Sequence, residues 1–192
     1  MAKKGFFYNQ DDCVGCKTCQ MACKDKNDLM VGILFRNLRD FEVGTYPNAS
    51  VYHYAKTCNH CEQPLCVANC PTGAMYFDEE DGTTQHDFEV CIGCQTCVRS
   101  CPYEVPQFLE EAAKVIKCDA CIALRGNGEQ PACVAACQMR ALRFGDFDEL
   151  KAEFPDAVRD LPILPESNVT SPCTLIAAKA AALEEGAVEV HL

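Results

Sequence analysis

Residues 91–102 read Cys91-Ile-Gly-Cys94-Gln-Thr-Cys97-Val-Arg-Ser-Cys101-Pro102, a C-x2-C-x2-C-x3-C-P run. Three thiols separated by two residues each lie on one tight loop and can reach neighbouring corners of an iron–sulfur cubane. The fourth thiol follows one helical turn later, so its side chain can point away from the loop and serve a second cluster. Pro102 suits an abrupt change of chain direction. Gly93, just before a ligand position, allows close backbone approach, so that N–H groups can donate to cluster sulfur.

The pattern recurs on both sides. Upstream lie Cys13-x2-Cys16-x2-Cys19-x3-Cys23, with Gly15 in the place of Gly93, and Cys58-x2-Cys61-x4-Cys66-x3-Cys70 followed by Pro71. Downstream lies Cys118-x2-Cys121-x11-Cys133-x3-Cys137. These quartets form an internal repeat that accounts for 16 of the 17 cysteines and leaves Cys173 over as a free thiol. An odd count in closely spaced clusters argues against a disulfide framework. Zinc is the competing metal, since the fourth quartet alone could pass for a zinc ribbon. Three thiols on one short loop suit a cubane better than a single ion, and the repeat carries the fourth quartet with it.

The rest of the composition excludes other classes. The 192 residues carry 28 acidic and 17 basic side chains, a net charge of −11, which disfavours nucleic acid and anionic lipid as partners. No apolar stretch approaches the roughly 20 residues of a membrane span. Met1 to Tyr8 runs straight into Asn9, Gln10, Asp11 and Asp12, with no apolar region of a signal peptide. With no Trp and only 8% aromatic residues, coordinated clusters are expected to replace part of a conventional core. No Ser/His/Asp arrangement, phosphate loop or acid–base carboxylate pair is present, so a relay is expected rather than a catalyst.

The segments Asp12-Cys-Val-Gly-Cys-Lys-Thr-Cys19, Cys58-Asn-His-Cys-Glu62, Asn69-Cys-Pro-Thr-Gly-Ala74, Ser100-Cys-Pro-Tyr103 and Lys117-Cys-Asp-Ala-Cys121 carry a wider resemblance. Over roughly residues 5–145 the chain resembles the four-cluster iron–sulfur subunits of molybdopterin oxidoreductases, the dimethyl sulfoxide reductase family above all. The resemblance implies an α+β fold of two ferredoxin-like two-cluster modules, one inserted in the other. Residues 1–50 and 109–145 would form the outer module, residues 51–108 the inserted one, and 146–192 an extended C-terminal arm. It implies four [4Fe–4S] clusters with swapped ligands: Cys13, Cys16, Cys19 and Cys137; Cys23, Cys118, Cys121 and Cys133; Cys58, Cys61, Cys66 and Cys101; Cys70, Cys91, Cys94 and Cys97. Lys24 and Gln138 depart from the pattern, standing where proline could follow a quartet. Implied partners are a molybdopterin-containing catalytic subunit and a membrane quinol-oxidising anchor. The complex would be membrane-associated or periplasmic by co-export, with a cytoplasmic complex as the alternative. The same clusters would also serve a soluble molybdenum or tungsten hydroxyarene dehydroxylase or transhydroxylase, or a free polyferredoxin carrier.

Local signals complete the reading. Phe6–Tyr8, Val51–Tyr54 and Leu142–Phe144 read as strands, and Ala74–Phe77 and Asp87–Val90 as a hairpin around Asp81-Gly82. In the arm, Ala177–Glu185 reads as a helix, and Leu161, Ile163, Leu164, Leu175 and Ile176 read as apolar groups awaiting a partner. The arm alone is expected to be disordered, and truncation after Gly145 to leave the clusters assembled. Arg99, Lys117 and Arg140 lie close to ligand positions, where a cation raises cluster potential or forms an exposed salt bridge. His53, His60, His86 and His191 lack the pairing of a Rieske centre, and His60 reads as solvated or bonded to backbone.

Overall fold

The computed structural model describes residues 3–191, so Met1, Ala2 and Leu192 of the expected domain limits lie outside the described residues. The first half runs β1 (Lys4–Asn9), α1 (Thr18–Lys26), β2 (Asn37–Val43), β3 (Ser50–Lys56), α2 (Leu65–Ala68), β4 (Met75–Asp78) and β5 (Thr83–His86). It continues α3 (Thr96–Ser100), β6 (Gln107–Leu109), β7 (Lys114–Ile116), α4 (Ile122–Gly126), α5 (Ala132–Ala135), β8 (Leu142–Asp146) and α6 (Phe147–Glu153). The last strands are β9 (Thr174–Ala177) and β10 (Val188–Val190). Mixed α+β architecture, with small sheets and short helices, is as expected.

The strand at Phe6-Phe7-Tyr8 is central in its sheet, paired antiparallel with β8 and parallel with β9. All three aromatics are buried, which explains a continuous apolar run in place of alternation. A second sheet orders β10-β2-β3, and β4-β5 and β6-β7 are hairpins. Helix α1 packs on α5, joining the first quartet to the fourth, and α2 packs on α3, joining the second to the third. The ladders β2–β3 and β6–β7 cross the expected limits at residues 50/51 and 108/109. One apolar cluster runs from Phe6 and Tyr8 through Tyr52 and Tyr54 to Tyr103 and Val105, so the two expected modules share a core.

Three local expectations need correction. The hairpin's second strand is Thr83–His86, not Asp87–Val90, because the Asp87 carboxylate accepts the N–H groups of Glu89 and Val90 and turns the chain. The stretch expected as a helix from Ala177 holds only a 3₁₀ turn at Ala180–Leu183, since Thr174–Ala177 is drawn into the sheet beside β1.

The third concerns the arm, which is folded onto its own chain. Asp146 caps α6 by accepting from the N–H groups of Asp148 at 2.9 Å and Glu149 at 3.1 Å, with both acidic side chains in the first turn. Phe147 and Leu150 then pack with Phe7, Cys173 and Leu175 in a satellite core. Leu161 and Ile176, expected to await a partner, are buried in the main core. Burial against the aromatic β1 strand offsets the ordering cost that sequence alone left unmet.

Candidate metal centres

The first and third cysteine loops share an unusual backbone. Gly15 and Lys17 have φ of +70° and +60°, and Gly93 and Gln95 have +69° and +60°, so each loop turns through the left-handed region twice before its helix begins. A Cβ at Gly15 would lie 2.5 Å from the His53 ring, and one at Gly93 would lie 2.0 Å from the Ala113 carbonyl oxygen. Glycine is therefore required by conformation and by space. The second and fourth loops repeat a different signature: His60 and Ala120, one residue before Cys61 and Cys121, have φ of +43° and +53°.

These loops bring cysteines of different quartets together. Cys13, Cys16, Cys19 and Cys137 line one cavity, together with Tyr8, Leu38 and Leu142. Cys70, Cys91, Cys94 and Cys97 line another, with Met75, His86 and Val115. Burial raises the Cys61 thiol above its usual range, and the neighbouring Cys58, Cys101 and Cys66 add to it. Burial likewise lifts Cys23 to about 12, with Cys133 and Cys121 adding to it. Cys118 rises well above its ordinary value through burial and through neighbours that include Cys23 and Cys133.

Cysteines of different quartets lie near enough to raise one another's thiols: Cys133 acts on Cys19, Cys58 on Cys118 and Cys97 on Cys66. Cys16 and Cys94 are exposed, while most of the other cysteines are buried. The exposed apolar side chains Val14 and Met139 line the cavity that includes Cys16, and exposed Ile92 lines the one that includes Cys94.

The donor set fits an iron–sulfur cubane. Buried thiols at raised pKa stay protonated at neutral pH unless a metal holds the thiolate form. Sulfur is also met by donors: the N–H of Met75 lies 3.4 Å from Cys70 Sγ, that of Val115 3.5 Å from Cys91 Sγ and that of Ala120 3.3 Å from Cys118 Sγ. These three donors to cysteine sulfur come from residues other than Gly15 and Gly93.

The cations near ligands sort clearly. Arg99 and Arg140 are exposed side chains that donate to the carbonyls of Cys94 at 3.1 Å and of Ala135 at 3.2 Å. Lys117 is buried and donates to the carbonyl oxygens of Thr84 and Cys118. His60 is fully buried rather than solvated; burial first, then Lys117 and Arg125, hold its pKa well below the ordinary value, so the ring is neutral. Cys173 is fully buried in the satellite core, its backbone N–H donating to the Asn59 carbonyl at 2.9 Å, with its thiol pushed up to about 12 by burial and Glu62.

Two features escaped the sequence reading. Arg36 donates toward Cys133 Sγ from 97 residues away, and nothing near it in sequence signals a ligand. The arm also clamps the second loop: the N–H groups of Glu62 and Gln63 donate to the carbonyls of Ser171 at 2.9 Å and Thr170 at 3.0 Å.

Comparison with known proteins gives a consistent result. A family described as a 4Fe-4S dicluster domain matches residues 49–147, and one described as a 4Fe-4S binding domain matches residues 10–28. The B chain of the anaerobic dimethyl sulfoxide reductase of Escherichia coli is 40% identical over 180 residues, covering 90% of this chain and 87% of that protein. Its counterpart in Haemophilus influenzae is 37% identical over 181 residues, covering 90% and 87%. The B subunit of the sulfite dehydrogenase of Allochromatium vinosum is 34% identical over 169 residues, covering 77% of this chain and 70% of that protein.

Proposed function

This protein belongs to the family of iron–sulfur electron-transfer subunits represented by the B chain of dimethyl sulfoxide reductase, and from that premise we propose that it holds four [4Fe–4S] clusters in one line. Bound clusters supply one-electron redox chemistry. The chain itself supplies thiolate ligands, N–H donors to sulfur and a buried, mostly water-excluded path. The two cavities in which Cys137 joins Cys13, Cys16 and Cys19, and Cys70 joins Cys91, Cys94 and Cys97, carry the reading.

The ligand sets are Cys13, Cys16, Cys19 and Cys137; Cys23, Cys118, Cys121 and Cys133; Cys58, Cys61, Cys66 and Cys101; and Cys70, Cys91, Cys94 and Cys97. Two lined cavities and the mutual charge effects among the remaining thiols support this swapped assignment. The packing of α1 on α5 and of α2 on α3 supports two ferredoxin-like modules, with residues 51–108 inserted between 1–50 and 109–145. Electrons pass to or from a molybdopterin catalytic subunit at one end and, in a membrane-linked complex, a quinol-oxidising anchor at the other. No helix among the described residues is long and apolar enough to cross a membrane, so membrane association would come through that anchor.

Metal analysis tests the reading: iron and acid-labile sulfide should each approach about 16 per chain, with negligible zinc. About 12 irons and one tightly bound zinc per chain would return the fourth quartet to a zinc site. Cys101→Ser should alter the cluster of Cys58, Cys61 and Cys66. A change confined to the cluster of Cys91, Cys94 and Cys97 would refute the swap.

A further inference from the structure

Arg36 lies immediately before β2, is 2% exposed and is the largest of the fully buried side chains among the described residues. Its Nη1 donates to the Ala55 carbonyl at 2.8 Å, and its Nη2 points at Cys133 Sγ at 3.4 Å. The guanidinium carbon lies 4.7 Å from the centre of the Phe6 ring, and Nε has no protein partner. Among the described residues Arg36 forms no ion pair with a carboxylate.

A guanidinium this deep is costly unless an anion compensates it, and arginine does not escape by losing its proton. Among the described residues its side chain meets no carboxylate, and the group of anionic chemistry that it touches is sulfur, Cys133 Sγ at 3.4 Å. Cys133 belongs to the second ligand set. We infer that Arg36 is a positioning residue that raises the reduction potential of the cluster held by Cys23, Cys118, Cys121 and Cys133. The inference rests on the ligand assignment above.

The physical cause is charge. Adding one electron to that cluster raises its negative charge by one unit, with no bond made or broken, and a fixed cation against a ligand sulfur favours the more negative state. The N–H···S contact adds in the same direction, since hydrogen bonds to cluster sulfur raise potential. Lys117, the other buried cation, turns its ammonium to two carbonyl oxygens, so part of its charge is satisfied there. Arg36 has only one such carbonyl and aims its remaining arm at sulfur. The Phe6 face holds the guanidinium in place by a cation–π contact.

The test is a reductive titration of the full-length, cluster-loaded chain with dithionite, followed by EPR. In Arg36→Met, iron content should match the parent while the reduction equilibrium of one cluster falls at least tenfold, about 59 mV for a one-electron couple. Arg36→Lys keeps charge but loses the planar fork, and should shift the same signal less. Comparison with Cys121→Ser assigns the signal to its cluster. Should Arg36→Met fail to hold iron, Arg36→Lys decides, a smaller downward shift supporting the role. A fully loaded variant with the parental potentials overturns it, as does a shift confined to the clusters of Cys58 or Cys91. A parent chain short of four irons and holding zinc would overturn the ligand assignment itself, and is seen before any variant is made.

Discussion

Ile176→Ala separates an arm that is part of the folded body from one that waits for a partner. Ile176 is 1% exposed, lies beside Tyr8 in the parallel β1–β9 ladder, and exchanges two 2.8 Å backbone hydrogen bonds with Val158. It also borders Tyr54, Asn59, Tyr103 and Leu164, where the arm meets the second cysteine loop. Truncating such a side chain costs about 2–5 kcal/mol, because the site loses apolar burial and cannot fully collapse. A domain's total stability is about 5–15 kcal/mol, so the loss is a large fraction of it. At about 2–4 °C per kcal/mol for a chain of this size, thermal bleaching of the cluster absorbance should begin roughly 5–20 °C lower. The isolated, iron-loaded chain is heated with and without a chelator, and visible absorbance is followed. Truncation after Gly145 is the coarser version and should leave the chain unable to keep all its iron, contrary to the expectation from sequence. Bleaching of Ile176→Ala within a degree of the parent, with iron retained after truncation, would show that the arm does not belong to the body.

Gly93→Ala should lose the cluster of Cys91, Cys94 and Cys97 before the others, since a Cβ there meets the Ala113 carbonyl oxygen at 2.0 Å and φ is +69°; iron content after mild oxidation reads it. Asp81→Ala removes the carboxylate that accepts twice from Arg125, at 2.6 Å each, and should cost toward the lower end of about 3–5 kcal/mol, measured by thermal bleaching. The Arg125, Thr83 and Lys4 hydrogen bonds overcome burial and hold the Asp81 carboxyl below the usual carboxylate range. Its stabilisation is therefore full above about pH 4, the unfolded value, and is lost as pH falls through the lower folded value. The parent's stability should drop more steeply than that of Asp81→Asn below about pH 4. Cys173→Ser should leave iron and sulfide unchanged but cost about 1–3 kcal/mol, because it buries a hydroxyl among Phe7, Phe147 and Leu175; loss of iron equal to one cluster would make Cys173 a ligand.

The cysteine loops were legible because everything they need is local. Spacings of two residues put three sulfurs on one turn, and Gly15 and Gly93 stand where the backbone is left-handed and crowded. The aromatic run Phe6-Phe7-Tyr8 announced a strand for the same reason, since its composition is a property of adjacent residues; its burial came from the sheet on both sides of it. Family resemblance, not spacing, supplied the partner for each fourth cysteine. What only the tertiary structure decided lies between residues far apart. Cys137 lines the cavity of Cys13, Cys16 and Cys19 because α5 packs on α1, a choice of surfaces that no short window contains. Arg36 carried no signal in the sequence, and became a buried cation only when β2 and β3 carried it between Phe6 and Cys133. The arm's prolines argued for disorder when its apolar groups were counted alone. Against β1 those groups have a partner in the same chain, and burial then exceeds the entropy that the isolated segment could not overcome.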